Sequence, residues 1–481
     1  MALQYDAPTT GADFKDAIAG NPDISAATAA AITSLLGLDN AGSSVVLAGW
    51  DGVGAITAPE GQAVDVLAIK TTGAAGTNTT LVLPADVADA KVIIIDSESN
   101  VSLTVTEQAA PAAEARLFAV EAVAATELVI NGGNGSDKLT YVGTANVTLD
   151  GGTGNDVLIT GSGDDVVTGG AGNDHIETGA GNDIINTGEG NDVILAGAGR
   201  DVINVSGAST DFTVDVTGSF LNLTSANAGS NNVTIQGGEF VTFTDDHTLA
   251  IVETDAEAAA LRLFDGLLGR DVDNASAEFY STAVQNGASL STIATSFLAS
   301  AEYKGTVNDG FLDQTYTTLL GRVDGADDAA QTYWQDQLAS GKTQAEVAAA
   351  ISTSAEAQAH AQSNDDFISS LYSTALGRAA DAADTSYWVG TLIGGSTRAD
   401  VATSIYSSAE ASHHANAEFI DSLYNNALGR ANVPDTDAGK AAWIAAVDQG
   451  AVTQADAVIG IVGSPEGVDH NSNVVVVHGA V

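Results

Sequence analysis

The stretch GGTGNDVLI TGSGDDVVT GGAGNDHIE TGAGNDIIN TGEGNDVIL AGAGRDVIN, residues 151–204, decides the fold of half the chain. Six consecutive nonapeptides keep Gly at positions two and four and Asp at position six. Position eight is always aliphatic: Leu158, Val167, Ile176, Ile185, Ile194 and Ile203. An earlier copy, GGNGSDKLT (132–140), stands before a degenerate ten-residue segment and supplies a further Asp, Asp137.

Nine residues suffice for one tight turn and one very short strand. The glycines permit backbone torsions and close approaches that a Cβ forbids. The aliphatic residue of each strand points inward and stacks on its equivalents. Two nonapeptides then make one coil with turns on opposite edges, so each turn lies over the turn two repeats away. The spacing therefore predicts Asp156 beside Asp174, Asp174 beside Asp192, Asp165 beside Asp183, and Asp183 beside Asp201. Carboxylates stacked this way repel unless a cation lies between them. Ca²⁺ suits such a site, because it accepts six to eight oxygen ligands in flexible geometry, whereas Mg²⁺ demands a tight octahedron.

This pattern resembles the RTX, or haemolysin-type, calcium-binding repeat G-G-x-G-x-D-x-U-x. The resemblance implies a parallel β-roll, Ca²⁺ held in the turns by Asp137, Asp156, Asp165, Asp174, Asp183, Asp192 and Asp201, and export by the type I secretion machinery through a C-terminal signal. In the family the first position contributes a carbonyl oxygen. Here that position is Thr160, Thr178, Thr187 and Ala196 in four copies, and each still carries a carbonyl. Arg200 replaces the usual Asn or Asp before Asp201 and is expected to mark the end of the ion column.

Outward from the repeats, residues 41–131 hold short β-branched runs: SVVLAG, VDVLAI, TLVLP, KVIIID, VSLTV, RLFAV and ELVI. They predict a sheet or solenoid leading into the roll at 132–204. Residues 205–252 (DFTVDVTG, SFLNLTS, NNVTIQG, EFVTFTD) read as a β cap over the roll's last coil, whose edge needs covering. Residues 1–40 form an N-terminal helical segment, with Ala26–Leu38 as an amphipathic helix.

From residue 253 to 470 the pattern is helical and repeats four times. Leu-Gly-Arg recurs at Leu268-Gly269-Arg270, Leu320-Gly321-Arg322, Leu376-Gly377-Arg378 and Leu428-Gly429-Arg430. The Gly suits a helix C-terminus. Each unit closes with Ser-x-Glu, bearing Glu302, Glu356, Glu410 and Glu466, and a structural Arg–Glu pair between helices is expected. An Arg row binding an anionic glycan is the sharper alternative. The Trp and Tyr positions of Phe279-Tyr280, Tyr333-Trp334, Tyr387-Trp388 and Trp443 are read as core rather than sugar platforms. These units resemble a helical domain of unknown function that often accompanies RTX repeats. The fold class is thus β plus α multidomain: a parallel β-roll or β-solenoid N-terminal half and an all-helical C-terminal repeat array.

Composition narrows the function. The 481 residues include 62 Asp and Glu against 15 Lys and Arg, a formal net charge of −47. Such a chain has too few cations to neutralise nucleic-acid phosphates. Zero Cys excludes disulfides, thiolate metal sites and cysteine nucleophiles. No run approaches the roughly 20 apolar residues of a membrane span. The start, MALQYDAPTTGADF (1–14), lacks the basic and apolar regions of a classical signal peptide. The tail at 471–481 contains Val474-Val-Val-Val477, either an edge strand or part of an export signal.

RTX repeats also occur behind secreted proteases and lipases, but H-E-x-x-H and G-x-S-x-G are both absent. The seven His (His175, His247, His360, His413, His414, His470 and His478) form no such motif, and His175 and the His413-His414 pair are read as surface groups. The expected protein is not an enzyme. It is a secreted, calcium-binding structural protein of a Gram-negative cell surface, S-layer-like or matrix-forming. It is expected to self-assemble and to meet lipopolysaccharide or anionic surface glycan through Ca²⁺. A secreted adhesin or glycan-binding module is the alternative, and a secreted hydrolase the third.

Overall fold

Two periods, two residues along each strand and eighteen along the chain, build the first unit. The structure, a computed structural model, describes residues 8–21, 24–54, 56–71, 73–84, 90–106, 128–226, 231–359 and 363–478. It divides into two compact units, residues 1–254 with 475–481, and residues 255–474. The run RLFAV (116–120) and His360 lie outside the described residues.

In the first unit the position-eight aliphatics form two inward files. Leu149, Val167, Ile185, Ile203 and Val241 pair in register on one sheet. Leu139, Leu158, Ile176, Ile194 and Ile235 do so on the other. All ten are fully buried, forming one continuous core between the sheets. The sheets do not begin at the nonapeptides. Val66–Lys70, Val92–Asp96 and Leu128–Asn131 stack parallel on one another and on Val147–Thr153. Asn78–Leu81 and Asn100–Thr106 lead likewise into Lys138–Val142 on the opposite sheet. The solenoid thus extends well upstream of its recognisable repeat.

Its final coils turn antiparallel. Phe212–Thr217 and Phe220–Ser225 form a hairpin that pairs with Val233–Gln236, and Phe240–Thr242 pairs with Thr248–Val252. The valine run supplies the edge strand Val474–Val476 beside Thr248–Val252, and the Val477 N–H donates to the Val252 carbonyl at 2.9 Å. Helices α1 (Gly11–Ala19) and α2 (Ala26–Leu35) start at the N-caps Thr10 and Ser25. They cover the outer sheet face: Phe14, Ile18 and Ile32 pack on Val66, Val92 and Val129, whose neighbours Leu67, Ile93 and Ile130 point inward. Burying each such side chain contributes about 1.5–3 kcal/mol.

The second unit explains the Leu-Gly-Arg and Ser-x-Glu signatures together. Gly269, Gly321, Gly377 and Gly429 all adopt φ between 62° and 68°, the left-handed helix stop that favours glycine. Ser300, Ser408 and Ser464 are N-caps of the following helices, and the Ser354 hydroxyl accepts from the Ala357 N–H in the same way. The motif Glu therefore sits in a first helical turn, where the helix dipole favours it. Arg322 donates to Glu356 through Nε at 2.8 Å and Nη2 at 2.7 Å, reaches Asp327 at 2.9 Å, and lies 5.0 Å from the Tyr316 ring centre. Arg270 and Arg378 make the same bidentate pairs with Glu302 and Glu410. The fourth, Arg430 to Glu466, is longer at 3.7 Å.

The Arg322 and Glu356 side chains are 32% and 37% exposed, so solvent screens this pair. A double-mutant cycle of Arg322→Ala and Glu356→Ala by thermal melting is expected to give a coupling of about 1 kcal/mol. That is well below the ~3–5 kcal/mol of a buried pair. Zero coupling would reject the pairing. The aromatic doublets divide: Trp334 and Trp388 donate to the Tyr316 and Tyr372 hydroxyls at 3.0 and 2.9 Å. Their neighbours Tyr333 and Tyr387 are exposed, as is Phe279. Tyr333 and Tyr387 correct the reading of every Trp and Tyr position as core.

Candidate metal centre

The turn aspartates fall into two files, one on each edge of the roll. On the first edge the Asp137 N–H donates to Asp156 Oδ1 at 2.7 Å, Asp156 to Asp174 at 2.9 Å, and Asp174 to Asp192 at 2.9 Å. On the second edge Asp165 donates to Asp183 at 2.8 Å and Asp183 to Asp201 at 2.9 Å. The sequence spacing brings together the four pairs it predicts, and Asp137 heads the first file. A second ladder runs in the opposite sense. Asn173 N–H donates to Asn155 Oδ1 at 2.7 Å, and Asn191 N–H to Asn173 Oδ1 at 2.8 Å. Position five is therefore Asn or Asp because its side chain satisfies a backbone donor of the next coil.

One oxygen of each position-six carboxylate is thereby used, and the other is not. The Oδ2 atoms of Asp137, Asp156, Asp165, Asp174, Asp183, Asp192 and Asp201 are buried and have no hydrogen-bond partner. Every one of these residues is at most 2% exposed. Burial pushes the carboxyls up to about 7 for Asp137 and Asp192, about 8 for Asp156 and Asp201, and about 6 for Asp174. Asp165 and Asp183 rise to about 6, the Val147 and Asp165 N–H donors to their Oδ1 atoms opposing the effect of burial. Orphaned buried anions of this kind cost several kcal/mol each unless a cation compensates them.

The cradles beside these oxygens fit Ca²⁺. A Cβ built on Gly151 would lie 2.4 Å from Asp156 Oδ2 and 2.6 Å from the Gly169 carbonyl oxygen. One on Gly169 would lie 2.6 Å from Asp174 Oδ2 and 2.4 Å from the Thr187 carbonyl oxygen. The donors are oxygens alone, from carboxylates and backbone carbonyls, the set a hard divalent cation prefers. No group of three or more His, Asp or Glu side chains converges among the described residues, as expected where backbone supplies much of the coordination.

The spacing missed one acid. Glu239 Oε2 accepts the Asp201 N–H at 2.7 Å and so ends the second file. Burial pushes it up to about 7, opposed by the charge of Arg200. Arg200 therefore stands where the nonapeptide file gives way to the cap. The signal was present: Glu239 precedes the inward Val241 by two residues, as each turn Asp precedes its aliphatic. His175 pairs with Glu177 at 2.7 Å and His413 with Asp448 at 2.6 Å, all partly or largely exposed and apart from the files.

Comparison with known proteins agrees with this geometry. The RTX calcium-binding nonapeptide repeat (4 copies) matches residues 143–176 and 168–203. The domain of unknown function DUF4214 matches residues 294–361, 358–415 and 411–471. No curated protein and no solved structure matches the chain. The chain thus carries RTX nonapeptide repeats, which bind Ca²⁺, followed by three matches to DUF4214.

Proposed function

We propose that this is an exported, non-enzymatic structural protein of a Gram-negative cell surface, S-layer-like or matrix-forming, that folds and assembles on Ca²⁺ outside the cell. The observation that carries the reading is the column of buried, unpartnered Asp Oδ2 atoms. Such a column favours an unfolded chain where free Ca²⁺ is scarce, inside the cell, and a folded one where it is millimolar. An unfolded chain is what a type I channel passes. No helix among the described residues is long and apolar enough to cross a membrane.

Assembly follows from charge. At −47 the chain repels its own copies and an anionic envelope. Ions in the roll offset only part of this. Close packing on lipopolysaccharide, or between copies, calls for further divalent bridges, because monovalent salt screens without bridging. Chelation of intact cells is expected to release the protein into the medium. Re-added Ca²⁺ should restore sheets or fibres, visible by electron microscopy, while NaCl of equal ionic strength should not. Protein that stays monomeric at millimolar Ca²⁺ and high concentration would overturn the structural reading.

One observation favours the adhesin reading as the second. Phe279, Tyr333 and Tyr387 stand 66%, 54% and 67% exposed at matching places in successive repeats, a spacing suited to a polymeric glycan. Saturable binding of surface polysaccharide, lost in Tyr333→Ala and Tyr387→Ala, would select it.

A further inference from the structure

The two edges of the roll carry the same Asp file but different first-position residues. On the first edge, Gly132, Gly151 and Gly169 precede Asp137, Asp156 and Asp174, and only the last member, Asp192, follows a threonine, Thr187. Each of these glycines leaves a gap bounded by its own repeat's Asp Oδ2 and by the first-position carbonyl of the next coil: Gly151, Gly169 and Thr187 in turn. On the second edge, Thr160 and Thr178 precede Asp165 and Asp183, and Ala196 precedes the last member, Asp201. Their hydroxyls donate to the equivalent carbonyls, Thr160 Oγ1 to Thr178 O at 2.8 Å and Thr178 Oγ1 to Ala196 O at 2.6 Å. Both threonines are buried, Thr178 completely.

We infer that the two edges are unequal calcium sites: the glycine edge, at Asp137, Asp156 and Asp174, holds Ca²⁺ tightly, and the threonine edge, at Asp165 and Asp183, holds it weakly. The reason is competition for one oxygen. On the glycine edge the next coil's carbonyl and the buried carboxylate both border the small space that a Cβ would fill, and a cation can take both. On the threonine edge a neutral hydroxyl already donates to that carbonyl, and its Cβ and Cγ2 reduce the room beside the Asp. An ion entering there must displace an internal hydrogen bond before it gains a ligand. The roll is then tied by metal along one edge and by a threonine hydrogen-bond ladder along the other.

This inference rests on the calcium-binding reading of the roll and predicts something that reading does not. Calcium titration of the full-length protein by isothermal calorimetry, with equilibrium dialysis for stoichiometry, should resolve two classes of site. The tight class should hold about three ions, one for each glycine cradle. Asp156→Asn should remove at least one tight ion and weaken its neighbour. Asp165→Asn should leave the tight class intact. Thr178→Gly, which opens the cradle beside Asp183, should add one tight ion. Thr178→Val, which keeps the bulk and removes the hydroxyl, should not. Far-ultraviolet circular dichroism at saturating Ca²⁺ identifies any variant that fails to fold. For such a variant, the edge is read instead from hydrogen exchange of wild-type protein at substoichiometric Ca²⁺. Turns 132–137, 151–156 and 169–174 should gain protection before turns 160–165 and 178–183. One class of equal sites, or equal losses from Asp156→Asn and Asp165→Asn, would overturn the inequality while leaving calcium binding in place. No Ca²⁺ uptake at all would overturn the calcium reading itself.

Discussion

Chelation of the full-length protein is expected to unfold the roll while the helical array persists. Hydrogen exchange should show loss of protection across residues 128–252 and little change across 255–474, which has its own core of Phe367, Ile368, Leu371, Val401 and Ile405. The physical ground is mass action. A ligand that binds only the folded state stabilises it by RT ln(1 + [L]/Kd), about 2.7 kcal/mol per site when Ca²⁺ is at 100 times Kd. Several sites along one cooperative solenoid sum to a large share of the ~5–15 kcal/mol that holds a typical domain folded. Asp174→Ala should cost most among single substitutions. Its Oδ1 accepts from Asp156, its N–H donates to Asp192, and its Oδ2 faces the Gly169 cradle, so the change damages two coil junctions. The midpoint in calcium titrations monitored by circular dichroism should move upward by an order of magnitude or more. A roll whose exchange and dichroism ignore the chelator would sink this account.

Why the roll was legible in sequence and its neighbours less so has a physical reason. A nonapeptide turn tolerates no substitution at its fourth position: a Cβ on Gly154 would lie 1.7 Å from the Gly135 carbonyl oxygen, and one on Gly172 would lie 1.5 Å from that of Gly154. Such constraints print a periodic pattern. The upstream coils, such as Val66–Lys70 on Val92–Asp96, lack tight turns, so their loops vary in length and only alternation marks them. They read as a sheet of uncertain kind, yet they share the roll's core through Leu67, Ile93 and Ile130. Glu239 was missed because the cap breaks the nine-residue count, although local spacing still placed an acid two residues before an inward aliphatic. The Ser-x-Glu motif was read as closing each helical unit. Its Ser also caps the next helix, and Ser300 both ends Leu290–Ala299 and starts the helix after it, a double role that rests on hydrogen bonds a single sequence does not display. The inequality of the two edges was visible only as Thr in place of Gly. The spacing alone gave no reason to think that the Thr hydroxyl competes for a carbonyl.

Acid should refold the calcium-free roll. In the folded chain without metal, burial raises Asp174 to about 6, Asp137 and Asp192 to about 7, and Asp156 and Asp201 to about 8. In the unfolded chain the same groups titrate near ~3.9. The folded state therefore binds more protons than the unfolded state throughout the interval between these values. Stability contributed by each carboxyl is fully present below its unfolded value and is lost as pH rises through its folded value. Between the two, each pH unit changes stability by about 1.4 kcal/mol per carboxyl. At pH 8 in chelator most of the column is ionised and unpartnered, and the roll should be open. At pH 5.5 all the buried turn aspartates would be mostly protonated if folded, and part of the lost stability returns. Far-ultraviolet circular dichroism in chelator should accordingly show β signal recovering as pH falls from 8 to 5.5. Ca²⁺ acts through the same oxygens and should invert the dependence: calcium-loaded roll should be more stable at pH 8 than at pH 5.5, because protons and Ca²⁺ compete for Oδ2. Asp156→Asn and Asp201→Asn, which keep the shape and remove the two most strongly raised groups, should flatten the chelator profile near pH 7–8. Loss of β structure on acidification in chelator would contradict the burial of these carboxyls.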